Sequence, residues 1–163
     1  IRIIALAPTA TARPHKGKPG PKAKELLDDF FKNKRWHVEI ESITLAEEPD
    51  RLKTRLTADI AAGIDVIFTT GSTGIEPTDT VPDVVLSVAD KTIPGIPEYI
   101  RTKYAHDNPH ALLSRSVVAV TQQTLIYTLP GSENAVAEYL AEILKTLEHL
   151  VILLHIAFSN NPT

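Results

Sequence analysis

The chain contains neither cysteine nor methionine in its 163 residues. Without cysteine it can form no disulfide and no thiolate metal site, which agrees with a reducing compartment. Apolar runs such as Val151-Ile152-Leu153-Leu154 fall far short of the roughly 20 residues of a membrane-spanning helix. The net charge is −3, so there is no general basic surface for nucleic acid or anionic lipid. We therefore expect a cytoplasmic protein that binds neither nucleic acid nor membrane.

The chain begins at Ile1 rather than at a methionine. This start indicates a processed chain or a piece of a longer polypeptide. The length suits one domain. We expect an α/β domain over residues 1–158 and a flexible tail over residues 159–163, which end in Asn-Asn-Pro-Thr.

Strand-like and helix-like patterns alternate along the chain. Strands are predicted over residues 1–7, 36–45 and 64–69, each rich in apolar or β-branched residues. Pro49 opens the helix before the third strand, and Gly63 ends it. Such alternation predicts a three-layer α/β/α domain with a mainly parallel central sheet.

The C-terminal third of the chain carries a different pattern. Residues 117–120 and 124–129 predict two strands of a short β-hairpin, and Ser132 is placed to cap a long C-terminal helix. Upstream, Thr80 and Asp83 have the form of a helix cap with an acid at the third helical position. The sheet is therefore expected to gain an antiparallel hairpin before its last helix.

A turn of glycine and hydroxyl residues, 70–74, follows the third strand. Because glycine has no Cβ, the N–H groups of Gly71 and Gly74 are predicted to be open to an anion such as phosphate. The turn is neither a Walker A loop nor a Gly-x-Gly-x-x-Gly loop. From the residues alone, a tight turn without a ligand is an equally good interpretation. Ligands of such sheets bind beyond the carboxyl ends of the strands, where loops 8–21, 71–80 and 129–132 are expected to meet.

Four blocks of the sequence, taken together, resemble the molybdopterin-binding MoaB/MogA family. They lie in the family's order over roughly residues 1–154 and comprise Thr70-Gly71-Ser72-Thr73-Gly74 with Pro77-Thr78-Asp79, Pro94-Gly95-Ile96-Pro97-Glu98, Leu113-Ser114-Arg115 and Leu129-Pro130-Gly131-Ser132. The resemblance implies an α/β fold, a homotrimer or hexamer, and a role in molybdenum cofactor biosynthesis beside the other proteins of that pathway. Adenylating members of the family use ATP and Mg²⁺ to activate the terminal phosphate of molybdopterin.

The resemblance also implies which residues act. Asp79 and Asp50 match two carboxylates tied to magnesium and nucleotide, so they are the predicted catalytic and metal-binding residues. By position alone, Asp50 equally suits the start of a helix, whereas Thr80 and Asp83 can fill that role beside Asp79 and leave it free to face a ligand. The predicted ligand-binding residues are Thr70, Gly71, Ser72, Thr73, Gly74, Glu98, Ser114, Pro130, Gly131 and Ser132.

The chain departs from the family pattern in two places. Ala7-Pro8-Thr9 stands where family members usually show Ser-Asp, and Ser72 replaces the second glycine of the turn. The first departure removes an acid and a hydroxyl from one wall of the site, which favours an alternative function. That alternative is a non-catalytic molybdopterin-binding or carrier module, and one domain of a fusion protein is a further reading. We interpret the basic segment Arg13–Lys18 as a solvated charge run rather than a phosphate contact.

Overall fold

The computed structural model describes residues 1–8 and 15–160. The elements in chain order are β1 (Arg2–Ala7), α1 (Pro19–Phe31), β2 (Glu41–Ala46), α2 (Pro49–Ala61), β3 (Val66–Thr70), α3 (Val81–Val88), β4 (Lys91–Thr92), α4 (Gly95–Ala105), a 3₁₀ helix (Pro109–Leu113), β5 (Val118–Thr121), β6 (Thr124–Leu129) and α5 (Glu133–Asn160). Within these ranges no helix is both long and apolar enough to cross a membrane.

One sheet of six strands organises the chain, in the order β2-β1-β3-β6-β5-β4. β1 pairs in parallel with β2 and β3, and β3 pairs in parallel with β6. β5 runs antiparallel to both of its neighbours. The predicted mainly parallel sheet and its β-hairpin are therefore confirmed.

Helices cover both faces of this sheet. Successive strand side chains point to opposite faces, so Ile3 and Phe68 join a cluster with α1, α4 and α5. Ile4 and Ile67 join a second cluster with α2 and α3. All four side chains are fully buried, and β3 and β6 are buried along their whole length. The three-layer α/β/α fold is confirmed, with β3 and β6 in the centre.

The structure corrects several predicted boundaries. The second strand begins at Glu41 rather than at Trp36, which is 41% exposed. The register explains this: β1 begins at Arg2, which is paired with Glu41, so residues before Glu41 face no part of the β1 strand. α1 begins at Pro19, inside the predicted loop, and α5 extends to Asn160, two residues into the predicted tail. Residues 161–163 lie outside the described ranges.

The sequence analysis missed β4, α4 and the 3₁₀ helix. α4 does carry helical spacing, since Ile96, Ile100 and Tyr104 are at i, i+4 and i+8 and all pack against the core. The helix-breaking residues Pro94, Gly95 and Pro97 obscured this pattern. Proline is tolerated in the first turn of a helix because the N–H groups there have no partner within the helix.

Candidate functional site

Two of the predicted ligand loops lie side by side at the carboxyl edge of the sheet. Parallel pairing of β3 with β6 places Thr70 opposite Leu129, so the turns that follow both strands are neighbours. The Gly71 N–H donates to the Leu129 carbonyl at 2.9 Å. A Cβ on Gly131 would lie 3.5 Å from the Gly71 Cα. The prediction that the Gly71 amide is open to an anion is therefore wrong, because the sheet ladder already uses it.

The imidazole of His15 fills the gap between these two loops. A Cβ on Gly71 would lie 2.7 Å from His15 Cε1, and one on Gly131 would lie 2.9 Å from His15 Cδ2. Both positions therefore need glycine, and Gly71 needs it additionally for its φ of +101°. Burial lowers the pKa of His15, which favours the neutral ring in the folded protein.

The backbone that follows His15 is joined to the start of α5. The Lys16 N–H donates to the Gly131 carbonyl at 3.1 Å, and the Glu133 N–H donates to the Lys16 carbonyl at 3.2 Å. The Lys18 N–H donates to Glu133 Oε1 at 2.7 Å. Residues 15–18 are thus one wall of the site, and the interpretation as a solvated charge run holds only for the exposed lysine side chains. Residues 9–14, which include Thr9 and Arg13, lie outside the described ranges.

Hydroxyl groups are buried at this edge without a hydrogen-bond partner. Within the described ranges these include Thr70 Oγ1, Ser72 Oγ and, on the opposite face of β3, Thr69 Oγ1. Thr70 is 0% exposed and Ser72 is 7% exposed. A Cβ on Gly20, in the first turn of α1, would lie 3.9 Å from Thr70 Oγ1. Leaving such a group unsatisfied costs about 1–3 kcal/mol. We define Thr70 and Ser72 as the hydroxyl pair.

Ser72 also has an unfavourable backbone conformation, with φ of +56°. Left-handed geometry costs a non-glycine residue roughly 1–2 kcal/mol. Strain and an unsatisfied buried hydroxyl thus coincide at a single residue. This coincidence is typical of functional sites, where strain persists because the surroundings enforce it.

The carboxylate of Asp79 lies against the last glycine of the turn. Asp79 Oδ2 accepts the Glu76 N–H at 2.8 Å, and a Cβ on Gly74 would lie 2.6 Å from the same oxygen. The predicted acid is therefore held beside the predicted turn. The predicted helix start is confirmed, since Thr80 is the N-cap residue of α3 and Asp83 lies in its first turn. Thr80 makes no side-chain cap bond, however, and the Asp83 carboxylate pairs with Arg115 at 3.1 Å.

The other predicted residues have different surroundings from those of the hydroxyl pair. Ser132 does cap α5, accepting the Ala135 N–H at 3.2 Å. Ser114 and Pro130 line a cavity of about 170 Å³ between α4, the 3₁₀ helix and α5. Glu98 is exposed on α4 and does not line this cavity, although the family resemblance implied that it would share the pocket.

Asp50 is exposed in the first turn of α2. It follows β2, and β1 separates β2 from β3 in the sheet. Asp50 and Asp79 therefore lie at the same edge of the sheet, but their side chains are not in contact. No three acidic or histidine side chains gather as a metal site in ranges 1–8 and 15–160. A magnesium ion here would therefore depend on ligand oxygens as well as on these two carboxylates.

Comparison with known proteins agrees with this geometry. A family described as "Probable molybdopterin binding domain" matches residues 22–149. The chain belongs to this family. It is 31% identical over 140 residues to the molybdopterin adenylyltransferase of Haemophilus influenzae, covering 86% of this chain and 70% of that protein. It is 30% identical over 153 residues to the molybdenum cofactor synthesis protein cinnamon of Drosophila melanogaster, covering 93% of this chain but 25% of that protein.

A solved relative supports the fold. The molybdopterin biosynthesis Mog protein from Mycobacterium ulcerans matches with a TM-score of 0.79 at 29% identity, over 94% of this chain and 97% of that chain. Family membership confirms the resemblance found in the four sequence blocks. His15 and Arg115 are the site residues that the sequence analysis did not select, although Arg115 stood within one of those blocks.

Proposed function

We propose that this chain binds molybdopterin at the carboxyl edge of the sheet, beside residues 70–74 and 130–132, and adenylates its phosphate with Mg-ATP. The observation that carries the proposal is the hydroxyl pair, which is buried and has no hydrogen-bond partner among the described residues, in the turn whose last glycine lies against the Asp79 carboxylate. Phosphate oxygens are strong acceptors that suit such donors. The Haemophilus influenzae relative is named a molybdopterin adenylyltransferase, which supports the same reaction here.

The reaction is a transfer of an adenylyl group. An oxygen of the molybdopterin phosphate attacks the α-phosphorus of ATP, the bond from that phosphorus to the bridging oxygen breaks, and pyrophosphate leaves. Such transfers need positioning and charge stabilisation rather than a covalent intermediate with the protein. The hydroxyls of Thr70 and Ser72 would donate to phosphate oxygens, where charge builds up in the transition state.

The carboxylates of Asp79 and Asp50 are of the chemical type that binds a magnesium ion. Mg²⁺ binds carboxylate oxygens and usually keeps phosphate and water ligands as well. Because Asp79 Oδ2 already accepts the Glu76 amide, Oδ1 is the oxygen that would hold the metal, with the exposed Asp50 carboxylate as a second ligand. When bound, the ion would neutralise negative charge on the triphosphate.

We further propose a cytoplasmic homotrimer or hexamer that acts beside other proteins of molybdenum cofactor biosynthesis. The family resemblance supports this assembly. Exposed apolar side chains near the end of α5 agree with a subunit contact, since Ile152, Leu153 and Ile156 are each 43–53% exposed and large apolar patches mark interaction surfaces.

Pyrophosphate release tests the proposed activity. Purified protein is incubated with molybdopterin, ATP and Mg²⁺, and release is expected only when all three are present. Protein that binds molybdopterin but releases no pyrophosphate would instead be the non-catalytic carrier module. The departure at Ala7-Pro8 would then be the first cause to examine. Protein that binds no molybdopterin would contradict both functions.

A further inference from the structure

Arg115 bonds to both ends of the loop that carries Asp79. Its Nε donates to the Gly74 carbonyl at 2.7 Å, and its Nη2 donates to the Asp79 carbonyl. Its main-chain N–H donates to the Thr73 carbonyl at 2.7 Å. One residue from the segment before β5 therefore closes residues 74–79, which we define as the acid loop.

The conformation of the acid loop sets the orientation of the Asp79 carboxylate. The Asp79 N–H donates to the Glu76 carbonyl at 2.9 Å, and the Glu76 N–H donates back to Asp79 Oδ2 at 2.8 Å. Asp79 Oδ2 also lies 2.6 Å from the position that a Cβ on Gly74 would occupy. The carboxylate moves with the backbone of the loop, so whatever holds Gly74 and Asp79 also holds the carboxylate.

The outer edge of the guanidinium joins the acid loop to α3. Arg115 Nη1 lies 3.1 and 3.2 Å from the two carboxylate oxygens of Asp83. The Arg115 and Asp83 side chains are 39% and 61% exposed, and exposed ion pairs contribute about 0–1 kcal/mol to stability. The two carbonyl contacts are therefore the ones that a positioning role requires.

Only arginine can make this set of contacts. Its planar guanidinium presents five N–H donors in a fixed fork, which here reach two carbonyls and one carboxylate in different directions. A lysine ammonium is a single point at the end of a flexible stem, so it cannot reach Gly74, Asp79 and Asp83 together. A change to lysine keeps the charge and loses the geometry.

We propose that Arg115 is a positioning residue that fixes the Asp79 carboxylate for metal and triphosphate binding. The inference rests on the proposed function, in which Asp79 holds magnesium. Arg115 acts through the acid loop, so its loss should affect the use of magnesium more than the binding of molybdopterin. A residue that only stabilised the fold would have no such selective effect.

The kinetic test compares Arg115→Lys with Asp83→Asn. Arg115→Lys should lower kcat for pyrophosphate release about tenfold or more, since small misplacement of a reacting group is costly. It should also raise the magnesium concentration for half-maximal rate, with the KM for molybdopterin within about twofold of the wild type. Asp83→Asn keeps both carbonyl contacts, so its kcat should stay within about threefold of the wild type. Should Arg115→Lys not fold, Arg115→Gln, which retains a side-chain donor, replaces it.

A second measurement needs no activity. Mn²⁺ added together with ATP to ¹⁵N-labelled protein should broaden the amide signals of Glu76 and Asp79 in the wild type and broaden them less in Arg115→Lys. Wild-type protein that shows this broadening but releases no pyrophosphate would contradict the proposed function alone. Arg115→Lys with wild-type magnesium dependence and wild-type broadening would overturn the positioning role, as would a wild type with no broadening in the acid loop.

Discussion

Polar side chains at the two ends of the parallel strands differ in how completely they are paired. At the amino end lies a cavity of about 460 Å³, lined by aromatic, aliphatic and charged residues of β1, β2, β3 and α5 and the segment before β2. The charged side chains there pair with one another: Arg2 with Glu41, Lys34 with Glu148 at 3.1 Å, and His155 with Asp65 at 2.7 Å. Arg2 Nε and Glu148 Oε1 have no hydrogen-bond partner among the described residues, but both side chains are held in ion pairs, Glu148 with Lys34 and the Arg2 guanidinium also with Asp59 at 3.4 Å.

The carboxyl end has less open volume and more unmet hydrogen-bonding capacity. Its cavity is about 170 Å³, yet Thr70 and Ser72 bury hydroxyls that have no partner in the described ranges. Buried polar groups in native proteins are nearly always satisfied. The difference teaches that the proposed ligand site is located by unsatisfied donors rather than by cavity size.

Matched aspartates at the two ends of β3 give the largest expected contrast. Asp79→Asn should slow pyrophosphate release by roughly a hundredfold, because one charge contact at a phosphoryl-transfer site is lost. Asp65→Asn, at the amino end, removes an exposed pair with His155 and should leave the rate within about twofold. Both variants should keep the free energy of unfolding within about 1 kcal/mol of the wild type. An Asp79→Asn protein that keeps more than about a tenth of the wild-type rate would contradict the role proposed for the Asp79 carboxylate.

The two non-glycine residues with positive φ in the described ranges give the next contrast. Ser72 (φ +56°) lies at the carboxyl end, and Gln122 (φ +51°) lies in the β5–β6 turn at the amino end. Glycine at either position should raise the free energy of unfolding by up to about 1 kcal/mol by relieving strain. Ser72→Gly should also weaken the binding of inorganic phosphate about tenfold, because it removes a hydrogen bond to a charged group.

Calorimetric titration with phosphate and thermal unfolding would measure both effects. Gln122→Gly is the control and should bind phosphate as the wild type does. Equal affinity in Ser72→Gly and the wild type would show that the Ser72 hydroxyl is not a ligand donor.

The smallest expected contrast is between substitutions of two histidines, His15 and His37. The quantity compared is the dependence of the free energy of unfolding on pH. Burial lowers the pKa of His15 in the folded state, so the unfolded chain binds the proton more readily. The resulting stability is present above about pH 6.5, the unfolded pKa, and is lost as the pH falls through the lowered folded pKa. Wild-type protein should therefore lose more stability than His15→Gln between about pH 7.5 and about pH 5.

Chemical denaturation at a series of pH values measures this difference. His37→Gln is the control, because the His37 side chain is 92% exposed at the amino end, and its curve should run parallel to the wild-type curve. Parallel curves for His15→Gln and the wild type would contradict the burial of a neutral imidazole between the two loops.

The local sequence pattern predicted the central strands of the sheet more accurately than the start of the edge strand β2. β3 and β6 were predicted because runs such as Val66-Ile67-Phe68 suit a strand buried on both faces. The start of β2 was missed because Val38 and Ile40 alternate like strand residues, while the neighbouring strand β1 begins only opposite Glu41. Pairing needs a partner strand, and that partner cannot be seen in a window of neighbouring residues.

The sequence by itself determined the family and the residue types of the candidate site. Glycine, hydroxyl and acidic residues after β3 predicted a phosphate-binding turn, and four blocks in order identified the relatives. Only the tertiary structure decided which donors remain open: the Gly71 amide donates to Leu129, whereas the hydroxyl of Ser72 has no partner in the part of the chain that the structure describes. It also brought Arg115 to the carbonyl of Asp79, 36 residues away along the chain. Such contacts depend on how distant segments pack, whereas composition and spacing report only on near neighbours.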